Sequence, residues 1–225
     1  MSFDAAEPIT ESGVALVERI KQESRRRVLI AALAAVVVQL AVVAHAEEGD
    51  DARLAEGDIL VTTDPVKDSD VPLVTARAVV DAPPENLWTI IQDCGNYAKT
   101  MPRIRASKEL LREGNREHFF VECLVTATMP FPLPSLTSHT RVEHTIEPGK
   151  KWLRTFKLVE GDYLVNEGSW TLVPYGADGK RTFVTYRLHT QPKLPLPQGL
   201  VSMGQQRALS DIMKKLRELT APPRE

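Results

Sequence analysis

Residues 78–88 read AVVDAPPENLW and mark a change from strand to helix. The β-branched run Leu73–Val80 is typical of a strand. Proline is tolerated in the first turn of a helix, and an acidic residue such as Glu85 is favourable at the positive end of the helix dipole. The sequence therefore predicts a helix from Pro84 to Ile91, with a stop near Gly95.

Turn-forming residues recur about every ten positions after this helix. Tight turns are indicated at 113–115, 148–149 and 161–162, where glycine stands beside asparagine, proline or aspartate. No strand–helix–strand alternation occurs here, so the pattern predicts an antiparallel meander rather than a parallel sheet. The predicted strands, with two that precede the helix, are Ile59–Thr63, Leu73–Val80, Ile104–Arg112, Glu117–Ala127, Thr137–Glu147, Trp152–Val159, Leu164–Val173 and Arg181–Thr190.

A second helical pattern lies near the C-terminus. Apolar residues recur at helical spacing from Gly199 to Leu219, and Lys214, Lys215 and Arg217 suit the negative end of the helix dipole. The order of strands, helix, strands and long helix predicts an α+β fold with helices on one face of an antiparallel sheet.

The charge balance and the cysteines exclude several classes of protein. The 225 residues carry 28 Lys and Arg against 30 Asp and Glu, a formal net charge of −2. No basic field that would attract nucleic acid stands out. Two cysteines, Cys94 and Cys123, are too few for a disulfide-rich scaffold or a cysteine-rich metal site. They form either one bridge or two buried free thiols, and the sequence leaves both open.

The sequence lacks the common catalytic motifs. It contains no H-E-x-x-H, C-x-x-C, G-x-S-x-G or P-loop string. His139 and His144 are five residues apart on one predicted strand, so they face opposite sides of the sheet and make a poor metal pair. We therefore assign no catalytic residue, no metal ligand and no cofactor.

The N-terminal segment has the three parts of a secretory signal. A positive cluster at Arg25–Arg27 precedes the uncharged stretch 28–44, and Ala44-His45-Ala46 offers small residues at a cleavage site. Cleavage, or retention of 28–44 as a short anchor, places the later residues outside the cytoplasm. The arginines fit the general secretory route or a twin-arginine motif. The predicted organisation is a signal or anchor over 1–46, a flexible acidic segment over 47–57, one domain over 58–220 and a tail over 221–225.

Several segments resemble START-like proteins, the superfamily of polyketide cyclases, coenzyme-Q-binding proteins and lipid-transfer domains. Residues 78–88 are similar to its strand-to-helix entry, and later segments agree in order. These are Asn96-Tyr97, Met101-Pro102, Met129-Pro130-Phe131-Pro132-Leu133, Gly168-Ser169-Trp170 and 182–186. The resemblance covers about residues 56–220. It implies a helix-grip fold, in which a curved antiparallel sheet wraps around the long C-terminal helix with an apolar cavity between them.

Such a cavity would be lined by aromatic, aliphatic and methionine side chains. Arg154 shares strand parity with Trp152, and a buried arginine needs a carboxylate or phosphate partner. It is therefore in a structural ion pair, in contact with a ligand, or exposed. Asn166 shares parity with Trp170 and is the candidate for one orienting polar contact. The candidate ligand-binding residues are Trp88, Ile91, Phe120, Leu124, Met129, Phe131, Trp152, Arg154, Phe156, Asn166, Trp170, Tyr186, Met203, Leu209 and Met213.

These features favour non-catalytic binding or transport of a hydrophobic small molecule outside the cytoplasm, such as a quinone, a sterol-like molecule, a hopanoid or an acyl lipid. Two alternatives stay open, a cyclase or dehydratase-type enzyme and a ligand-free interaction module. The superfamily includes carriers and enzymes, so fold alone does not decide between them. We expect a monomer, with membrane contact through 28–44 or through the apolar segment 129–134.

Overall fold

A computed structural model of the chain describes residues 49–222, and residues 53–222 belong to one compact unit. The strands are β1 (Ile59–Asp64), β2 (Leu73–Val80), β3 (Ile104–Gly114), β4 (His118–Ala127), β5 (Leu136–Glu147), β6 (Lys151–Gly161), β7 (Tyr163–Tyr175) and β8 (Arg181–Pro192). From β1 onward, the helices are α1 (Pro84–Ile91), α2 (Tyr97–Thr100) and α3 (Gln198–Thr220), and a 3₁₀ turn, Cys94–Asn96, precedes α2.

The strands of this unit form one antiparallel sheet in the order β1-β2-β8-β7-β6-β5-β4-β3. From β3 to β8 each strand pairs with the next in sequence, which confirms the predicted meander. The N-terminal hairpin β1–β2 then adds to the free side of β8. Irregularities in the β3–β4, β5–β6 and β7–β8 pairings increase the local twist, and the sheet curves. The α+β helix-grip prediction is confirmed.

Helix α1 begins and ends where the sequence predicts. Pro84 occupies its first turn, where the missing N–H costs no helical hydrogen bond, and Glu85 supplies the acidic residue. The hydroxyl of Thr182 on β8 donates to the carbonyl of Ala82 at 2.6 Å, which fixes the entry of the chain into the helix. The helix turns one apolar side inward, and its buried residues are Pro84, Leu87, Trp88 and Ile91.

One face of the sheet carries the core, and we call it the inner face. On β2, Val74, Ala76 and Ala78 are fully buried, because alternate residues of a strand point to the same side. The same alternation holds across the sheet, and the inner-face cluster includes α1 and α3 residues. Its buried strand residues include Val74, Ala76, Ala78, Val121, Val142, Trp152, Trp170, Leu172, Val184 and Tyr186.

Helix α3 lies against β1, β2 and β8. Leu209, Met213 and Leu216 recur at helical spacing and are fully buried. Near the end of the helix, the Arg217 guanidinium donates to the carbonyl of Val79 at 2.8 Å and to that of Gly57 at 2.7 Å. These hydrogen bonds fasten the last turns of α3 to the edge of the sheet.

Cys94 and Cys123 form a disulfide, so the structure contains the bridge that the sequence left open. The bond links the 3₁₀ turn before α2 to the inner face of β4, and both residues are buried. It closes a loop between residues 29 positions apart. In the chain-entropy account, a loop of this length stabilises the folded state by about 3.6 kcal/mol.

Two segments differ from the sequence-based expectation. Residues 49–55 are helical, whereas a flexible acidic segment was predicted over 47–57. The reason lies in Leu54, an apolar residue that is buried in a small cluster with Leu60 and Val79. Tyr97 was predicted in a loop but begins α2 and is buried.

The remaining predicted segments fall at the ends of the chain. The signal or anchor over 1–46 lies outside the described residues, as does 223–225 of the predicted tail. In the part that the structure describes, no helix is both long and apolar enough to cross a membrane.

Candidate ligand-binding site

Most of the predicted ligand-binding residues lie on the inner face or on the helices that cover it. Phe156 is half-buried and packs against the same core. Asn166 on β7 and Met129 in the loop between β4 and β5 are also half-buried. The fully buried candidates are Trp88, Ile91, Trp152, Arg154, Trp170, Tyr186, Leu209 and Met213.

Phe120 and Leu124 do not belong to this group, because they lie on the outer face of β4. On β4, Phe119, Val121 and Cys123 point inward and are buried, whereas Leu124 is exposed. Both faces of this strand carry large apolar residues, so alternation alone could not fix its register. The sequence analysis therefore assigned Phe120 and Leu124 to the site, although the inward-facing residues of β4 are their immediate neighbours.

Phe131 and Met203 are also separate from the core. Phe131 is 98% exposed in the loop between β4 and β5, and Met203 is 59% exposed on α3. Met203 precedes the buried Leu209 by six positions, or about 1.7 helical turns, so the two side chains point about 120° apart around the helix axis. It therefore faces away from the buried side of α3.

Three polar side chains, Trp88, His144 and Arg154, lie buried among the apolar residues, and we call them the inner polar cluster. The rings of Trp88 and His144 meet edge to face with centroids 5.4 Å apart, and His144 is the cross-strand partner of Arg154. Within residues 49–222, Trp88 Nε1, both ring nitrogens of His144 and Arg154 Nε have no hydrogen-bond partner. Native proteins leave few buried polar atoms unpaired, so this concentration makes the cluster the candidate site of the domain.

The environment of His144 favours the neutral imidazole. Burial lowers the pKa of His144 from 6.5 to about 3, and the positive charges of Arg154 and Arg112 act in the same direction. The backbone of Phe119 is near enough to oppose this shift in part but does not form a hydrogen bond. The Phe119 ring stacks on the imidazole at 4.2 Å, which encloses it further.

Arg154 is a buried cation whose neighbours are uncharged aromatic rings. Its guanidinium carbon lies 5.7 Å from the ring centre of Tyr97 and 5.2 Å from that of Phe156. No carboxylate of residues 49–222 forms an ion pair with it, so the structural ion pair considered from the sequence is not made there. Cation–π contacts contribute up to about 2 kcal/mol each, whereas removing a charge from water costs several kcal/mol. The rings therefore offset only part of the cost.

Two tyrosines complete the surroundings of Arg154. The Tyr97 hydroxyl donates to the carbonyl of Ile91, and Tyr186 stacks on Trp170 with ring centres 3.8 Å apart. Burial raises the pKa of Tyr97 and of Tyr186, so both phenols stay protonated at neutral pH. The cluster therefore carries one positive charge among neutral groups.

Sequence reasoning missed two residues of this site. His144 was considered only as a metal ligand, although it alternates with the inward-pointing Val142 and its burial could have been predicted from that spacing. Tyr97 was missed because its placement depends on the turn after α1 and on the disulfide at Cys94, neither of which leaves a periodic pattern.

The other histidines of the domain lie outside the cluster. His118 and His139 contact the carboxylates of Glu143 and Glu122 at 2.8 and 3.0 Å on the outer side. His189 is buried, with its Nε2 3.0 Å from the hydroxyl of Ser69. In residues 49–222, no group of three or more His, Cys, Asp or Glu side chains is arranged to hold a metal ion.

Two concave pockets are open to solvent. A groove of about 550 Å³ crosses the outer face and is lined by alternating charges, among them Arg141, Lys157 and Glu167. A pocket of about 400 Å³ lies between α1 and the β3–β4 turn, where Trp88 and Phe119 form part of its wall. Neither of the two lies between the sheet and α3, so the predicted internal cavity stays a prediction.

A curved antiparallel sheet whose inner face packs against a C-terminal helix defines a helix-grip protein. The chain belongs to the polyketide cyclase/dehydrase and lipid transport family, whose sequence profile matches residues 80–217, more than half of the chain. This match confirms the START-like resemblance. No curated protein matches the chain in sequence.

Solved structures with the same fold come from several organisms. A fragment of a STAR-related lipid transfer protein from Xanthomonas axonopodis is 19% identical, with a TM-score of 0.60 over 71% of this chain and 92% of that chain. A START superfamily protein from Mycobacterium smegmatis is 22% identical, with a TM-score of 0.55 over 66% and 96%. Human STARD10 is 17% identical, with a TM-score of 0.60 over 72% and 69%. At these identities the likeness shows the fold alone.

The lowered pKa of His144 predicts a loss of stability in acid. The unfolded chain takes up a proton near pH 6.5, whereas the folded chain does so only near pH 3. Stability from the neutral imidazole is therefore fully present above pH 6.5 and is lost as the pH falls towards 3. Between pH 6 and 4, the free energy of unfolding should fall by about 1.4 kcal/mol per pH unit more steeply than in His144→Phe.

The measurement is urea unfolding of both proteins at several pH values. His118→Phe, which removes a half-exposed histidine on the outer face, controls for the loss of a histidine as such. Equal slopes for wild type and His144→Phe would show that His144 is not held neutral.

Proposed function

We propose that this protein binds and carries a hydrophobic small molecule between the sheet and α3 without transforming it. The inner polar cluster is the observation that carries this proposal. Buried polar atoms without partners, surrounded by aromatic and aliphatic side chains, are suited to orienting one end of an apolar ligand. Lipid transport is part of the family's description, and the Xanthomonas relative is a STAR-related lipid transfer protein.

The residues that would enclose the ligand also favour an internal cavity that opens on binding. Met213 and Leu209 of α3 face the aromatic side chains of the inner face across the core. Methionine is flexible and adapts to irregular shapes, so Met213 suits a wall that rearranges around a guest molecule.

The cluster is better suited to binding than to proton transfer. A general acid or base works best when its pKa lies near the working pH. The pKa of His144 is about 3, so the imidazole is a weak base at neutral pH. These properties favour a carrier over a cyclase or dehydratase, and a ligand-free interaction module would leave the cluster without a partner.

We also place the protein outside the cytoplasm as part of this proposal. The positive cluster at Arg25–Arg27, the uncharged stretch 28–44 and the small residues at 44–46 are typical of an export signal. The disulfide between Cys94 and Cys123 supports this location, because structural disulfides persist in oxidising compartments and are rare in the cytosol.

One end of the sheet is suited to contact with a membrane. The β6–β7 turn and the segment before α3 are joined there, because Lys193 N donates to Asp162 O at 2.8 Å. Thr137, which follows the β4–β5 loop, donates its N–H to the Asp162 carboxylate at 2.7 Å. Apolar side chains project at this end, and the exposed ones are Phe131, Leu164, Leu200 and Met203. We propose that they touch lipid while a monomer exchanges its ligand.

The first test is ligand capture by the full chain. Protein purified from a bacterial host should carry a stoichiometric apolar molecule, seen by native mass spectrometry and recovered by organic extraction. After delipidation, the neutral probe N-phenyl-1-naphthylamine should quench the fluorescence of the three tryptophans, because Trp88, Trp152 and Trp170 are all buried in the core. A protein that carries no such molecule and takes up no probe would contradict the carrier function.

Matched phenylalanine truncations locate the binding site. Phe156→Ala removes a ring from the inner face and should weaken probe binding by about tenfold, the equivalent of a partly buried aromatic contact. Both rings border the outer groove, but only Phe156 also packs against the inner-face core, so Phe120→Ala should leave binding unchanged. Equal loss of binding in both variants would place the probe in the outer groove.

For membrane contact, Phe131→Glu should slow probe transfer from lipid vesicles without changing affinity, and an unchanged rate would refute that contact.

The export proposal predicts where and in what state the chain accumulates. With its N-terminal segment intact, the protein should be found outside the cytoplasm, with Cys94 and Cys123 unreactive to maleimide until a reductant is added after unfolding. Substitution of Arg25, Arg26 and Arg27 by Gln should retain it in the cytoplasm. Secretion that is indifferent to these three arginines, or reactive thiols in the exported protein, would refute the corresponding part of the proposal.

A further inference from the structure

We infer that Arg154 recognises an anionic group, a carboxylate or a phosphate, at one end of the apolar ligand. This inference rests on the proposed function and narrows it from hydrophobic molecules in general to anionic amphiphiles. It follows from the position of Arg154, from the neutrality of the groups around it, and from the apolar character of the rest of the inner face.

The position of Arg154 is built into the sheet. It stands on β6 between two cross-strand partners, His144 on β5 and Trp170 on β7. Its residue is 5% exposed, and its Nε has no hydrogen-bond partner in residues 49–222. A strand in the middle of a sheet cannot move its side chain to the surface without losing its pairing, so the guanidinium is held on the inner face.

The groups that face Arg154 do not neutralise it. Tyr97 and Phe156 present ring faces to the guanidinium, and Tyr186 lies on the neighbouring strand pair. The tyrosines are protonated and His144 is neutral at pH 7. No carboxylate of residues 49–222 forms an ion pair with Arg154, and Glu109 on β3 pairs with Arg112 instead. Buried charges in proteins are paired or coordinated, so the counter-charge belongs to the ligand.

The chemistry of the guanidinium selects the kind of anion. Its planar array of N–H donors matches the paired oxygens of a carboxylate or phosphate. The rest of the inner surface is apolar and includes Val142 and, on α3, Leu209 and Met213. An acyl chain would occupy that surface, so fatty acids and alkyl phosphates fit both parts. A quinone or a sterol would leave the positive charge unmatched.

The test compares ligands that differ only in the head group. Hexadecanoate, hexadecyl phosphate and hexadecanol share one chain length, and each is measured by displacement of N-phenyl-1-naphthylamine from the delipidated full chain. A charge-assisted contact predicts that the two anions bind about ten- to a hundredfold more tightly than the alcohol. In Arg154→Met this preference should disappear while the alcohol still binds. Arg187→Met, an exposed arginine on the outer face, should retain the wild-type preference.

Several outcomes would overturn the inference, and they differ from failure of the proposed function. Equal affinity for anions and alcohol in the wild-type protein would refute anionic recognition while leaving the carrier function intact. Binding of none of the three would refute the carrier function itself. Displacement by acetate or inorganic phosphate alone would identify a small free anion instead of an amphiphile as the ligand. The wild-type comparison does not depend on whether Arg154→Met folds.

Discussion

Burial of one sheet face is the constraint on which the other features depend. The antiparallel meander exposes alternate residues on two sides, and α1 and α3 both pack against the same one. The turn into α1 at Pro84 and the anchoring of α3 through Arg217 place both helices on that side. The disulfide at Cys94 holds the connection after α1 against the same face. Each of these devices uses a different interaction, and all of them serve to close a single interior.

That interior is not purely apolar, and its exceptions lie close together. A core that served stability alone would be better with aliphatic residues in place of His144 and Arg154, because isolated buried polar groups cost free energy. A bound molecule that supplied hydrogen-bond partners to these polar atoms would offset this free-energy cost. Stability and binding then compete at the same residues, which is the usual relation between a core and a site built within it.

Much of the fold could be predicted from the sequence because it depends on local signals. The residues around Pro84 define α1 without tertiary information, and the turns define the strands. The candidate site was predictable only in part. Phe119 and Phe120 are adjacent and similar, so the facing of β4 is decided by its pairing with β5. The burial of Arg154 follows from strand parity, whereas the lack of a carboxylate beside it depends on contacts between distant parts of the chain. The sequence therefore predicted that Arg154 is buried, but it did not predict that no carboxylate lies beside it.

The most direct measurement is the NMR signal of the Arg154 Nε–H in the full chain labelled with ¹⁵N-arginine, assigned by its loss in Arg154→Lys. We predict that hexadecanoate moves this resonance downfield and slows its exchange with water, because the previously unpartnered Nε–H then donates to the ligand. Saturation with hexadecanoate that leaves both the position and the exchange rate unchanged would contradict the claim that the ligand completes the inner polar cluster.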